Sequence, residues 1–418
     1  MSTADRITCY HHAQAGCGSV PFASNCATRS FQDTQPSTSQ LHPVCAPRQL
    51  QLLSPRILMS NLLVIYNPVC GAHGAQKVFD DQVIPLLKQH GKSPDKIVVT
   101  THAGHAGEAV VDYLTAHPGP LTLVLGSGDG TLHEIVVALH DNKLSLSLDT
   151  EIKVVLVPCG TANALYWSIF PPSPDSPQQS TSPSKALDAF LSSNATRPLT
   201  FAVTSFHSQL DSLLPQSDVT RTSVAAVVTS TSLHASILHD SEALRASHPG
   251  IERFKLAAQQ NISRWYHAQV RLYPSATQQS IEIYDPRRKS FRHWDSEGMV
   301  TLHGPFVYFL STVNVDRLEA AFRITPLHNP GSAGSSMDVV MIRPRRDAKI
   351  IDEEEASRQA FAERTQEVLM GAYQDGAHID MQYGAQGGEG SESILEYFRC
   401  GRWEWIPVSG QCNPGHYH

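Results

Sequence analysis

The sequence has no apolar run long enough to span a bilayer, and its N-terminal stretch "MSTADRITCYHHAQAGCG" has no hydrophobic signal core. It also lacks a basic tract, since 32 Lys and Arg residues stand against 39 Asp and Glu residues and give a formal net charge of −7. Affinity for a phosphate backbone needs clustered positive charge, so no nucleic-acid partner is expected. These absences indicate an intracellular, cytoplasmic protein that crosses no membrane.

Cysteine is scarce and shows no paired pattern. The eight cysteines form neither paired CxxC motifs nor a disulfide framework, so reduced thiols are expected. The "CYHH" stretch at 9–12 lacks a closing set of ligands, and we expect no metal site there. The common phosphate-binding patterns GxxxxGK(S/T) and GxGxxG are also missing.

The chain of 418 residues is long enough for two domains with separate cores. Its pattern of apolar and polar residues changes twice along the sequence. Residues 1–58 are polar without an apolar period, which predicts a disordered leader. Residues 59–196 alternate helix-length stretches with the apolar runs "NLLVIYNP", "DKIVVTTH", "LTLVLGSG" and "IKVVLVPCG". Strands that alternate with helices predict an α/β first domain with a parallel sheet.

The pattern differs after a proline- and serine-rich tract at 171–184 and a short helical stretch, "KALDAFL". Residues 197–412 contain strand-like runs joined mostly by turns, which predicts a β-rich, antiparallel second domain. Two stretches in it are predicted to be helical, "HDSEALRASHPGIERFKLAAQQ" and "DEEEASRQAFAERTQEVLMGAY". The tract "GAQGGEGSES" at 384–393 is predicted to be a flexible loop.

The stretch "GSGDGTLHEI" at 126–135 follows the apolar run "LTLVL" and places three glycines around one aspartate. Glycine has no Cβ, so the backbone N–H groups of residues 126–131 can approach phosphate oxygens, and the helix that follows adds its positive end. Asp129 has two candidate roles: it could hold a magnesium ion, or it could accept a proton from an attacking hydroxyl. An isolated stretch of this kind is also typical of an ordinary turn with a helix cap.

Three further segments strengthen the phosphate hypothesis, namely "YNPVCG", "TTHAGHA" and "VPCGTANAL". All of them follow predicted strands. Ligands of open α/β sheets bind beyond the carboxyl ends of the strands. The four segments together therefore predict a site for a nucleoside triphosphate at this edge of the sheet.

The same residues carry a family resemblance. "NPVCG", "THAGHA", "GSGDGTLHEIV" and "VPCGTANA" resemble the diacylglycerol kinase catalytic domain superfamily, with similarity over roughly residues 60–345. The stretch "SEALRASHPGIERFKL" is similar to the sphingosine (long-chain base) kinase branch. The late segment "ITPLHNPGSAGSSMDVVMIR" also resembles the family.

The resemblance implies a lipid kinase that uses ATP and Mg²⁺ and phosphorylates the primary hydroxyl of a sphingoid base. It implies peripheral contact with intracellular membranes, where such a substrate resides, and a lipid slot in the β-rich domain. Asp129 would be the catalytic residue and the metal ligand. The residues that would bind the nucleotide are Asn67, Gly71, Thr101, His105, Gly128, Gly130, Thr131, Gly160, Thr161, Asn163, Arg245 and Arg253.

Alternatives stay open for several of these residues. His105 could simply begin a helix, Asn163 could cap one, and the two arginines could form a solvated face. The sequence also departs from the family: Ser236 stands where sphingoid-base kinases have an acidic residue, and the closing Asp-Gly-Glu strand is absent. Diacylglycerol or ceramide is therefore an alternative acceptor, and a catalytically impaired lipid-binding relative is an alternative to a kinase. Phosphorylation of NAD fits the sequence less well.

Overall fold

The computed structural model describes most of the chain. The described residues are 5–12, 61–142, 151–172, 184–193, 195–208, 221–248, 250–275, 279–294, 298–328, 336–384 and 392–408. They belong to one compact unit. Among them, no helix is both long and apolar enough to cross a membrane.

The described residues form strands and helices, which we number in chain order. The strands are β1 (Asp5–His12), β2 (Asn61–Tyr66), β3 (Lys96–Val99), β4 (Leu121–Ser127), β5 (Ile152–Pro158), β6 (Phe201–Ser208), β7 (Arg221–Ala225), β8 (Val228–Thr231), β9 (Ala268–Tyr273), β10 (Glu282–Asp285), β11 (Ser290–His293), β12 (Val300–His303), β13 (Tyr308–Thr312), β14 (Met337–Ile342), β15 (Leu395–Cys400) and β16 (Arg402–Pro407). The helices are α1 (Ala75–Val78), α2 (Ile84–Gln89), α3 (His105–Ala116), α4 (Asp129–Asp141), α5 (Ala164–Ile169), α6 (Ser184–Ser192), α7 (Ser232–Ala243), α8 (Glu252–Asn261) and α9 (Glu355–Ala372). A π-helical turn, Phe79–Val83, joins α1 to α2.

A four-stranded parallel sheet has the order β3-β2-β4-β5. Every residue of β4 is buried, as expected of a central strand covered on both faces. Helices α3 and α4 pack on one face, with Val110 and Ile135 in the shared core. The segment from α1 to α2, with α5 and α6, covers the other face around Phe79. The predicted parallel α/β architecture is confirmed.

Two six-stranded antiparallel sheets form the remainder, with the orders β12-β9-β16-β1-β6-β7 and β11-β10-β15-β14-β13-β8. Their facing side chains share one core that includes Val270, Trp403, Phe309 and Met341. Helices α7 and α9 contribute to the core on the other side of the second sheet, around Tyr308. The predicted antiparallel, β-rich character of this region is confirmed. The boundary between domains at residue 196 stays a prediction.

Asp5–His12 form a strand within the predicted leader, whose disorder stays a prediction. This segment is β1, which pairs with β16 on one side and with β6 on the other. Its backbone hydrogen bonds come from strands about 200 and 400 residues away along the chain, a pairing that a local polar composition does not reveal. Residues 13–60 lie outside the described residues, and so do residues 385–391 of the predicted flexible loop.

The apolar pattern also fails to predict β15, because a charged residue stands in a buried position of that strand. Glu396 is buried, and its carboxylate accepts two hydrogen bonds from Arg343 at 2.7 Å each. Arg346 lies 2.8 Å from the same carboxylate. Paired in this way, a carboxylate can occupy an interior position that the apolar period assigns to a hydrophobic residue.

Candidate active site

The candidate site lies at the carboxyl edge of the parallel sheet. In the sheet, β3 lies on one side of β2 and β4 lies on the other. The direction in which successive strands are added therefore reverses between β2 and β4. Crevices at such reversals are the usual ligand sites of open α/β sheets. The backbone N–H of Asn67, after β2, donates to the carbonyl oxygen of Gly126 in β4 at 2.9 Å. This bond holds two of the predicted segments side by side.

The glycine-rich turn between β4 and α4 presents the start of a helix to this crevice. Gly128 precedes α4 in an extended conformation, with φ −98° and ψ −176°, and Asp129 is the first helical residue. Gly130 is exposed, and a Cβ placed on it would meet no atom within 4 Å. The Thr131 side chain is buried and accepts a hydrogen bond from the Ser127 hydroxyl. Because the first N–H groups of a helix have no intrahelical acceptor, this end of α4 suits an anion.

The carboxylate of Asp129 is turned toward α5 and accepts two backbone hydrogen bonds. The N–H of Ala164 donates to one oxygen at 2.7 Å, and the N–H of Leu165 donates to the other at 3.1 Å. Burial raises the pKa of Asp129, while these N–H donors act in the opposite direction. Asp129 therefore connects the start of α4 to the start of α5 across the sheet edge, a role that sequence reasoning did not assign to it.

The turn after β5 packs backbone to backbone against the turn after β4. A Cβ on Gly160 would lie 2.3 Å from the Cα of Gly128, so no side chain fits between the two turns. Asn163 has a left-handed backbone, with φ 56°, and it precedes α5. Its side-chain oxygen accepts the N–H of Gly160 at 2.9 Å, and its side-chain nitrogen donates to the Gly160 carbonyl at 2.8 Å. Asn163 thus fixes this turn instead of capping α5 through its side chain.

The turn after β2 packs against the turn after β5. Gly71 has φ 52°, and a Cβ on it would lie 2.3 Å from the carbonyl oxygen of Cys159. The adjacent Cys70 thiol donates to that same carbonyl at 3.2 Å. The side-chain oxygen of Asn67 accepts the N–H of Val69 at 3.0 Å and shapes the turn. Three of the four predicted segments are therefore in direct contact.

The fourth segment lies after the edge strand β3, and its two predicted residues bond to each other. The Nδ1 atom of His105 accepts the backbone N–H of Thr101 at 3.1 Å. The rings of His102 and His105 stack with their centroids 4.8 Å apart. His105 begins α3, so its observed contacts are those of a residue that orders a helix start.

The two predicted arginines lie on the α7–α8 segment and cluster around Glu242. Arg245 donates two hydrogen bonds to the Glu242 carboxylate, at 2.9 and 2.7 Å. Arg253 is buried, and its guanidinium lies 4.0 Å from the same carboxylate. Among the described residues, its Nε has no hydrogen-bond partner. Burial and the charge of Arg245 lower the pKa of Arg253. Within the described part of the chain, neither guanidinium is hydrogen-bonded to the glycine turns.

The donor chemistry of the crevice fits a magnesium triphosphate. Among the described residues, no group of three or more His, Cys, Asp or Glu side chains is placed to hold a metal ion. Magnesium commonly binds one or two carboxylates together with phosphates and water, so a protein cage is not required. The Asp129 carboxylate uses two of its lone pairs on α5 and retains others. The open space beside Gly130 leaves room for phosphate oxygens at the start of α4.

Sequence reasoning missed the two cysteines of the site. Cys70 and Cys159 stand in the segments "YNPVCG" and "VPCGTANAL", each directly before a predicted glycine. Both are free thiols. The repeated Cys-Gly pair at two strand ends was a signal that these residues would lie close to each other.

Comparison with known proteins is consistent with this geometry. Residues 61–198 match the family described as "Diacylglycerol kinase catalytic domain". Sphingoid long-chain bases kinase 1 of Arabidopsis thaliana is 29% identical over 147 residues, which are 35% of this chain and 19% of that protein. Sphingoid long chain base kinase 5 of Saccharomyces cerevisiae is 30% identical over 105 residues, or 25% of this chain and 15% of that protein. The matches thus span less than a fifth of either relative.

A solved diacylglycerol kinase from Bacillus anthracis strain Sterne aligns with 81% of this chain and 93% of its own. It is 13% identical, with a TM-score of 0.41. The family match covers β2 through α6, which contain all four segments at the sheet edge. Residues 61–198 are therefore similar to the diacylglycerol kinase catalytic domain, and parts of the chain are similar in sequence to sphingoid long-chain base kinases.

Proposed function

We propose that this protein is an ATP- and Mg²⁺-dependent lipid kinase. The observation that carries the proposal is the glycine-lined start of α4 at the strand-order reversal, inside the region that matches the catalytic domain family. Main-chain N–H groups near Gly128 and Gly130 would bind phosphate oxygens. When bound, magnesium ATP supplies the transferable phosphoryl group and neutralises charge as the transfer proceeds.

The residues of the chain position the reactants. Contact between Gly128 and Gly160 holds the two turns in a fixed relation, and Asp129 joins α4 to α5. A carboxylate whose pKa is raised by burial accepts a hydroxyl proton more readily than an ordinary one. We assign this role to Asp129, together with contact to the metal. Thr101, His105 and Thr161 border the same edge, and Arg245 and Arg253 would approach the phosphates from α7–α8.

The acceptor we propose is the primary hydroxyl of a sphingoid base. The names of the two curated relatives support this choice. One observation favours a neutral acceptor, such as diacylglycerol or ceramide, as the second candidate. Asp240, four residues after Ser236, is a carboxylate that could bind the ammonium group of a sphingoid base, but it is already bonded to His239 and Asn261 at 2.8 Å each. The Ser236 hydroxyl in that position bonds to the Tyr266 hydroxyl at 2.7 Å.

A panel of lipids tests the acceptor. We expect purified protein, with γ-labelled ATP and Mg²⁺, to label sphingosine, dihydrosphingosine or phytosphingosine in mixed micelles, and to leave diacylglycerol and ceramide unlabelled. The Asp129→Asn variant serves as the blank. Labelling of diacylglycerol or ceramide alone would assign the second candidate. Nucleotide binding without any labelled lipid would indicate a catalytically impaired relative.

Since these acceptors reside in bilayers, we further propose that the protein associates peripherally with intracellular membranes. Flotation with lipid vesicles would measure this association.

The Gly130→Ala variant tests the phosphate site separately from the fold. The added Cβ enters open space, and alanine favours a helix over glycine, so the free energy of unfolding should stay equal or rise by up to about 1 kcal/mol. The methyl group should obstruct phosphate oxygens and weaken the affinity for magnesium ATP about tenfold, as calorimetry would measure. Gly74→Ala, which also adds a Cβ in open space, is the matched control and should bind normally. Unchanged affinity in Gly130→Ala would place the phosphates elsewhere.

A further inference from the structure

Two thiols meet beside the candidate nucleotide site. Cys70 follows β2 and Cys159 follows β5, and the two turns that carry them are in contact through Gly71 and the Cys159 carbonyl. The Cys70 thiol also lies 3.2 Å from the Cys159 carbonyl oxygen. Cys70 is buried, whereas Cys159 is partly exposed. Neither thiol has a role in the phosphoryl transfer described above.

The two sulfurs differ in acidity, which suits stepwise oxidation. The hydrogen bond from the Cys159 thiol lowers the pKa of Cys70. The same contact raises the pKa of Cys159, with burial acting in the same direction. The thiolate is the form that reacts with oxidants, and we place the first oxidation on Cys70, whose pKa is lowered, with Cys159 as the resolving thiol.

We propose that Cys70 and Cys159 form a reversible disulfide that inactivates the nucleotide site when hydrogen peroxide is present. The Cys70 sulfur attacks one peroxide oxygen, the O–O bond breaks, and the departing hydroxide is protonated to water, which leaves a sulfenic acid on Cys70. The Cys159 sulfur then attacks the Cys70 sulfur, the S–S bond forms, and the sulfenic oxygen leaves as a second water with the Cys159 proton. Two thiols and one peroxide thus give one disulfide and two waters. The regulatory part of this inference rests on the proposed nucleotide site.

The close packing of the three turns explains why this bond would affect the site. A disulfide holds its sulfurs about 2.05 Å apart, closer than two non-bonded sulfur atoms approach, so forming it would draw the turns after β2 and β5 together. Gly71 abuts the Cys159 carbonyl and Gly160 abuts Gly128, each without space for a methyl group. A shift of Cys159 is therefore passed to Gly128, which precedes Asp129. Loss of this alignment should weaken magnesium ATP binding.

The experiment uses the protein of 418 residues, reduced and then treated with hydrogen peroxide. After alkylation of the remaining thiols and non-reducing digestion, mass spectrometry should identify a peptide pair linked through Cys70 and Cys159. Calorimetry should show magnesium ATP affinity about tenfold weaker in the oxidised protein, restored by dithiothreitol. Cys70→Ser and Cys159→Ser should each lose the sensitivity to peroxide, measured against the untreated sample of the same variant. Cys45→Ser, outside the pair, should keep it.

The outcomes separate this inference from the proposed kinase activity. No link between these residues, or a link to another cysteine, would overturn the disulfide. A Cys70–Cys159 link with unchanged ATP affinity would overturn the regulatory role. Reduced protein that fails to bind magnesium ATP would instead refute the proposed kinase, while the peptide map would still decide the pairing.

Discussion

Asp129→Asn is expected to lower lipid phosphorylation by about 10²- to 10⁴-fold, the range for loss of a general base. Asparagine has the shape of aspartate, but it neither accepts a proton at neutral pH nor ligates magnesium with a charge. The variant should also lose about 1 kcal/mol of unfolding free energy, because Ala164 or Leu165 loses an acceptor for its N–H. The amide removes the cost of burying a charge, which keeps this loss small.

Steady-state kinetics and chemical denaturation measure the two effects on one preparation. Asp141→Asn is the matched control, since it makes the same substitution at the last residue of α4, where the side chain is 60% exposed. We expect the control to keep both activity and stability. Wild-type turnover in Asp129→Asn would remove Asp129 from the chemistry. Lost turnover with an unfolding free energy several kcal/mol lower would assign it a mainly structural role.

Gly160→Ala is expected to abolish measurable magnesium ATP binding and to lower the unfolding free energy by about 1–3 kcal/mol, the usual cost of an overpacked site. The added Cβ would lie 2.3 Å from the Gly128 Cα and 2.8 Å from its nitrogen. Both neighbours are backbone atoms, so no side-chain rotation relieves the clash. The turns after β4 and β5 must separate, and the amides at the start of α4 move with them.

Thermal unfolding and calorimetric titration would test this prediction. Gly130→Ala is the comparison for stability, because it adds the same methyl group two residues after Gly128 in open space. We expect Gly160→Ala to have the lower melting temperature of the two by several degrees. Equal melting temperatures together with normal ATP affinity in Gly160→Ala would contradict the close contact between the two turns.

Much of the fold follows from local patterns in the sequence. The buried runs of β2, β4 and β5 are continuous apolar stretches, and the intervening helices have apolar residues at helical spacing, so the α/β region was predictable. β1 and β15 were not predictable, because their places depend on partners far along the chain. β1 lies between β6 and β16, and the buried Glu396 of β15 depends on Arg343 and Arg346.

The sequence indicated which segments follow the strand ends, but not how these segments contact each other. The glycines indicated that another group lies close to the backbone at these positions. They did not show whether that group is a phosphate or another part of the protein. Gly71 and Gly160 contact protein backbone, whereas Gly130 faces open space. Of these three glycines, Gly130 has the surroundings expected where a phosphate approaches the chain. Asn163 closes its own turn through Gly160, and its contact with the nucleotide stays a prediction.

The sequence by itself determined which segments become strands and helices, and that glycines and one aspartate follow strand ends, because these are properties of neighbouring residues. Only the tertiary structure decided that Asp129 bonds to amides 35 and 36 residues later, and that Cys70 lies against Cys159, 89 residues away. The reason is that such contacts depend on the order of strands in the sheet. Strand order is set by burial over the whole chain and not by any local spacing.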